Sequence, residues 1–125
     1  MSVTVTTQHN PLAARIVQDT SADKTAQDNT TQAAGTLYMV EIDNTNASGS
    51  EVVYFKLVAA TSCTPGTTAP TMVFYCPNGA KRSYVFPEGI AFSNGFSHWC
   101  VTGAAQSDDT NPTNPPAVRY VTSAS

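Results

Sequence analysis

Charge is scarce in this chain. Six Lys and Arg and nine Asp and Glu make up 12% of 125 residues, about half the usual ~25% of a soluble domain. Six cations against a net charge of −3 do not make the basic stripe that a phosphate backbone requires, so no nucleic-acid partner is expected. Long hydrophobic runs are also missing. No apolar stretch approaches the ~20 residues of a membrane-spanning helix, and no membrane partner is expected. The start, "MSVTVTTQHNPLAARIV", has neither a basic region nor a continuous apolar core, so no export signal is expected and synthesis is placed in the cytoplasm. Only three cysteines occur, Cys63, Cys76 and Cys100, an odd number widely spaced. Three reduced, buried thiols are the reading that fits. The two sequons, at Asn29-Thr30-Thr31 and Asn46-Ala47-Ser48, are then chance matches.

What the chain does have is threonine, β-branched apolar residues and turn residues. With 41% hydrophobic residues and this length, one domain with a packed core is expected. Residues 1–32 stand apart. A short alternating "SVTVT" leads through Pro11 to "LAARIV", and then to "QDTSADKTAQDNTTQ", which has no apolar residue larger than alanine. That run cannot bury enough surface to fold alone, so residues 1–32 are expected as an extended, partly flexible arm and residues 33–125 as the body.

The body reads as short strands: 36–42, 52–58, 71–76, 82–86, 89–92, 96–102 and 117–122, with "SVTVT" as an eighth. Each is four to seven residues, rich in Val, Ile, Tyr, Phe and Thr. The connectors are dense in Gly, Pro, Asn and Asp. No helical pattern of ten residues interrupts them. The fold class predicted is all-β: an antiparallel β-sandwich or jelly roll with an extended N-terminal arm. Asn94-Gly95 predicts a type I′ hairpin between 89–92 and 96–102, and "PNGAK" offers another after 71–76. Several strands are apolar on both parities, with Leu37 and Met39 on one and Tyr38, Val40 and Ile42 on the other. A strand wet on one side would alternate, so a second subunit, another protein or the arm is expected over the outer face.

"FSHWCVT" (96–102) concentrates the chemically conspicuous residues. Phe96, His98 and Cys100 share one face and Trp99 and Val101 the other. Zinc would need a tight pair of ligands, and Cys63 and Cys76 are separated by twelve residues with only His98-x-Cys100 elsewhere, so no metal site is expected. The loop from Asn44 to Gly49 imitates the start of a calcium loop. Its bidentate Glu would fall at Phe55, inside a strand, and a hairpin loop fits better. A Cys100–His98 dyad is possible on one face, but no other element of a nucleophilic site accompanies it. Asp108-Asp109 lie in a Pro- and Asn-rich loop with no apolar wall to raise a carboxyl pKa. No catalytic residue, metal or cofactor is therefore expected, and the protein is read as not an enzyme. Trp99, with Phe96 and Tyr38, is assigned to the packed centre or to an oligomer interface.

Two stretches carry a resemblance. They are "GTLYMVEIDNTNASGSEVVYFKL" and "GTTAPTMVFYCPNGAKRSYVFPEGIAFSNGFSHWCVTG". Leu37, Tyr38 and Ile42-Asp43-Asn44-Thr45 lead to Tyr54, Lys56 and Leu57. Thr68-Ala69-Pro70, Pro77-x-Gly79 and the hairpin Tyr84-x-Phe86-Pro87-Glu88-Gly89-x-Ala91-Phe92-Ser93-x-Gly95 follow. The pattern resembles small virion proteins of tailed bacteriophages, among them capsid decoration (cement) proteins. The resemblance covers about half the chain and consists mainly of turn and core residues. It implies a sandwich or jelly-roll body, a homo-oligomer with a trimer favoured, and a seat on the capsid surface against the major capsid protein. Val3, Val5, Leu12, Arg15 and Ile16 are the arm residues assigned to capsid contact. Cys76, Cys100 and His98 depart from the plain aliphatic or small residues of that pattern. The rival readings are a tail, fibre or head-vertex component, and a binding module showing loops such as 103–116 to carbohydrate or a host surface. The third rival is an enzyme on His98 and Cys100.

Overall fold

The computed structural model describes residues 3–7, 15–47 and 49–123. Every regular element among them is a β-strand, as the patterning predicts: β1 (Val3–Thr7), β2 (Arg15–Asp19), β3 (Gly35–Asp43), β4 (Val53–Val58), β5 (Met72–Cys76), β6 (Lys81–Phe92), β7 (Ser97–Val101) and β8 (Ala117–Thr122). They form a five-stranded sheet, in the order β1-β2-β8-β3-β6, and a three-stranded sheet, in the order β5-β4-β7. All neighbours are antiparallel. The sheets sandwich a core of Val17, Leu37, Val40, Ile42, Val118 and Tyr120 from the larger, and Val53, Phe55, Leu57, Phe74, Phe96 and Cys100 from the smaller side.

The double apolarity of β3 has a local cause. Leu37 pairs with Thr122 and Met39 with Val121, so two residues of β3 step past one of β8. This bulge at Tyr38 shifts the alternation by one. Leu37, Val40 and Ile42 thereby all face the core, while Met39, Glu41 and Asp43 face outward. On the other flank, Leu37 pairs with Ile90 and Met39 with Val85, so β6 loops out Phe86-Pro87-Glu88-Gly89 opposite the bulge. The two strands predicted at 82–86 and 89–92 are one bent strand. Gly89 permits the bend. Its φ is +76°, and a Cβ there would lie 2.2 Å from Thr36 Cγ2. Gly89→Ala is expected to cost at least ~1–2 kcal/mol from the left-handed backbone alone, read as a lowered urea midpoint; an unchanged midpoint would contradict the bend.

Neither predicted hairpin forms. From β5 to β8 consecutive strands alternate between the sheets, so Asn94-Gly95 and the 77–81 segment cross the sandwich edge instead of closing a hairpin. Neither Asn94 nor Gly95 takes positive φ. Glycine is required at 95 for closeness: a Cβ would sit 1.9 Å from Asn29 Oδ1.

The described residues of the expected arm, 3–7 and 15–32, are built into the sandwich. β2 pairs along all five residues with β8 and carries β1 on its other side. The polar run that follows lies along the free edge of β7. Gln27 and His98 exchange backbone hydrogen bonds of 2.9 and 3.0 Å, Cys100 N–H donates to Asp23 O at 2.8 Å, and Thr30 N–H to Phe96 O at 2.7 Å. The run orders by satisfying backbone groups that an edge strand would otherwise leave open, which needs no large apolar side chains.

The outer face of the three-stranded sheet is also covered from within. Trp99, Val101 and Val58 form a second buried cluster with Ala60 and Cys63. Lys56, wholly buried beside them, donates from Nζ to Ala105 O at 2.7 Å. The loops 59–71 and 102–116 meet over this face, with Gln106 Nε2 donating to Thr67 O. Trp99 and Phe96 are both fully buried and Tyr38 half-buried at the bulge. Trp99 and Phe96 are thus core residues, out of reach of a second subunit; β7 is apolar on both faces because the chain's own loops lie on it.

Candidate functional site

His98 is the second residue of β7, with its ring between the sheets. Its Nε2–H donates to Asp19 Oδ2 at 2.8 Å, and its Nδ1 lies 3.0 Å from the Tyr120 hydroxyl. Tyr120 Oη is 2.6 Å from Thr30 Oγ1, which also reaches Phe96 O at 3.0 Å. The second carboxylate oxygen of Asp19 accepts from Ser21 N–H. Phe55 lies against the imidazole with ring centroids 5.2 Å apart, and Tyr120 meets it edge-on at 5.5 Å. Asp19, His98 and Tyr120 are each at most 1% exposed. The chain of contacts joins β2, β7, β8 and the 20–32 segment, four pieces distant in sequence. Burying polar groups this deeply is tolerated because each has a partner.

The structure does not build the Cys100–His98 dyad. Both ring nitrogens of His98 are engaged by Asp19 and Tyr120. Cys100 is fully buried, and desolvation, with the nearby Asp19 and Asp23 carboxylates, pushes its thiol pKa far up. Cys76 is likewise raised by burial, and its Sγ donates to Ala80 O at 3.3 Å. Cys63, half-buried against Asp28, is pushed up to about 12, mainly by desolvation. All three cysteines are free. No cluster of three potential metal ligands occurs among the described residues. Asn44, in the calcium-like loop, is buried and turns its amide to Glu51 O and Pro77 O, so it closes a turn. The adjacent Asp43 is held below the ordinary carboxyl value, first by hydrogen bonds from Thr45 and then by Lys81.

These thiols have a measurable consequence. Cys100 and Cys63 have folded pKa values above the ordinary 9.0, and Tyr120, desolvated in the core, lies above its ordinary 10.0. Above pH ~9 the unfolded chain sheds protons that the folded chain keeps, so folding stability falls as pH rises. Lys56, whose pKa burial lowers, acts in the opposite sense. With Cys76, four raised groups outweigh one lowered group. Urea midpoints are expected to drop steadily from pH 9 to 11, and less steeply in Cys100→Ala; a flat profile would contradict the burial of these groups.

With the polar residues at the centre used for structure, the surface is where contacts can be made. On the outer face of the five-stranded sheet the register aligns Ile16, Val121, Met39 and Val85 in one row across four strands. Val85 is 60% exposed. Beside it run Gln18, Arg119, Glu41 and Ser83, with an Arg119–Glu41 ion pair of 2.8 Å. Lys81 and Asp43 pair at 3.7 Å in the next row. The charges alternate and balance. Of the arm residues expected to contact a capsid, Ile16 lies in the apolar row and Val5 is 43% exposed on β1. Val3 packs partly into the core, Arg15 donates to Thr31 O, and Leu12 lies outside the described residues. The apolar row is invisible in the sequence because it assembles from four strands. Asp19 was equally hidden: it follows Val17 by two residues on the core side of β2, the one signal available.

Against known proteins, no family model, no curated protein and no solved structure matches this chain.

Proposed function

We propose that this protein is a structural component of a bacteriophage particle, a decoration protein that binds the outside of the capsid beside the major capsid protein and stabilises it. What carries the reading is the way the chain spends its unusual residues. His98, Cys100 and Trp99 are enclosed by β2, β8 and the chain's own loops, so these residues serve the interior and leave the outer faces for contact. The resemblance described above supports the same role, and most of its residues serve the fold: Asp43 and Asn44 hold the β3–β4 turn, and Pro87-Glu88-Gly89 form the loop in β6. The alternation of β5 to β8 between sheets fits a jelly-roll type of sandwich.

The row Ile16–Val121–Met39–Val85 is the capsid-facing surface in this proposal. Its exposed part is Val85, with Ile16 and Met39 half-buried and Val121 only 4% exposed between them, and balanced ion pairs flank it, which suits a protein contact repeated over many equivalent sites. The body acts as a small homo-oligomer made in the host cytoplasm and carried on the virion. Quantitative mass spectrometry of purified particles tests this. A copy number that is a sizeable fraction of the major capsid protein supports decoration, and Val85→Lys should lower that occupancy severalfold. A few copies per particle would favour a tail or vertex component. Absence from the particle would overturn the structural reading.

A further inference from the structure

The two sheets have four outer edges, and three are protected. The edge of β7 is taken by the 23–30 segment. Those of β5 and β6 lie together, where Tyr84 Oη donates to Tyr75 O and the tilted rings of Phe74 and Tyr84 lie 5.2 Å apart. β6 also carries Lys81, Arg82, Pro87 and Glu88, all exposed. Charges and proline of this kind are what keeps an edge from recruiting another strand. β1 has none of them. It reads Val-Thr-Val-Thr-Thr, pairs with β2 through five consecutive positions without a bulge, and has no partner on its other side among the described residues.

One side chain shows that this edge is unfinished. Val5 is paired in register with Val17, which is 0% exposed, so the two point to the same, core-side face of the sheet. Yet Val5 remains 43% exposed. The core face runs out to β1 and stops in water.

We infer that β1 is a self-association edge: two copies of this chain pair β1 to β1, antiparallel, about a two-fold axis at Val5, giving one continuous ten-stranded sheet. The strand complements itself. With Val5 at the centre, Val5 faces Val5, Thr4 faces Thr6, and Val3 faces Thr7, so every position of the strand is paired. Cross-strand Val–Val and Thr–Thr neighbours are favourable pairs. The axis stands perpendicular to the sheet, so both Val5 side chains project on the same side and shield each other. With no charge on the edge, nothing selects a partner of opposite charge, and nothing repels an identical strand. A two-fold contact also closes on itself and does not propagate into fibres. Because the contact is one short strand, its area is small and the dimer is concentration-dependent. The inference stands independently of the capsid reading, since it uses a different face of the molecule.

Site-directed trapping decides it. In the full chain carrying Cys63→Ser to silence the half-buried thiol, Val5→Cys should form a disulfide-linked dimer when oxidised by copper–phenanthroline in air. Directly opposed Cβ atoms in an antiparallel pair lie ~4.5–5.5 Å apart, close to bridging distance. Val3→Cys alone should not link, whereas Val3→Cys with Thr7→Cys should, which reads the register. In sedimentation velocity the unmodified chain should shift from monomer to dimer with concentration. Val5→Lys, which sets like charges face to face, should weaken that dimer at least tenfold without changing the circular dichroism spectrum. A chain that stays monomeric at millimolar concentration overturns the inference. So does a trimer indifferent to Val5→Lys, or a dimer in which Val5→Cys fails to link.

Discussion

Replacing His98 with alanine is expected to lower folding stability by about 3 kcal/mol or more, the upper end for leaving a buried polar partner unsatisfied together with truncating a buried ring. The physical cost lies in what is left behind. Asp19, 1% exposed, loses its 2.8 Å partner and keeps a carboxylate in the core, and the Tyr120 hydroxyl loses one of its two neighbours. A domain of this size has ~5–15 kcal/mol in all, so the variant would be marginal at room temperature. Asp19→Ala should cost a similar amount, because it strands the imidazole in turn. Combining the two should cost much less than their sum, since the double variant leaves neither group unpaired. Guanidinium unfolding of the four proteins gives the coupling directly. Single variants within 1 kcal/mol of the parent, or full additivity, would show that the contact does not hold the sheets together. Hydrogen exchange adds a local test. Asp19 ties the β1–β2 hairpin to β7, so amides of β2 should lose protection in both single variants before those of β4 do.

Trp99→Ala is the second large effect, about 3–5 kcal/mol for truncating a fully buried aromatic. Trp99 fills the space between the three-stranded sheet and the loops 59–71 and 102–116, packed with Val58, Val101 and Cys63. The loss should be felt first in those loops. Lys56 holds the second of them through Ala105 O, and Glu51 accepts the backbone N–H of Thr113 with both carboxylate oxygens. The variant is therefore expected to show faster proteolysis within 102–116, with β3 and β8 still protected. Trp99→Phe should recover most of the stability, because the indole Nε1 has no hydrogen-bond partner to lose. In the parent, tryptophan emission should be blue-shifted and insensitive to acrylamide. Emission near that of a free indole would mean that the loops do not cover the sheet.

The all-β class and the positions of β3, β4, β5, β7 and β8 could be read from the chain because their causes are local. β-branched and aromatic residues in runs of four to seven, broken by Asn, Gly and Pro, restrict each segment's own dihedrals. The turn at Asp43-Asn44 was legible for the same reason. Which strand lies beside which was not local. Asn94-Gly95 carries the residues of a tight hairpin, yet the strands that it joins belong to different sheets, because hairpin dihedrals matter only where the flanking strands have no better partners. β6 found its partner in β3, and β7 in β4. The bulge at Tyr38 exists only in the pairing of β3 with β8, and it changes which of Tyr38, Met39 and Val40 is inside.

The polar N-terminal segment shows the same division most clearly. Its composition correctly excludes an independent core, and that is all composition decides. Whether such a segment stays loose depends on whether distant backbone needs it. β7 presents an open row of N–H and C=O groups beside a buried imidazole, and residues 19–30 supply the matching acceptors, donors and carboxylate. Local preferences in the chain thus set the strand-forming stretches, the turn at Asp43-Asn44 and the low charge that leaves contact surfaces neutral. Packing between distant segments decided that the described part of the arm joins the sandwich, that His98 is a structural link, that Trp99 is sealed by its own loops, and that β1 is the open edge among the described residues. The physical reason is one of range: dihedral preference acts over a few residues, while burial and hydrogen-bond satisfaction are settled between groups as far apart as Asp19 and His98.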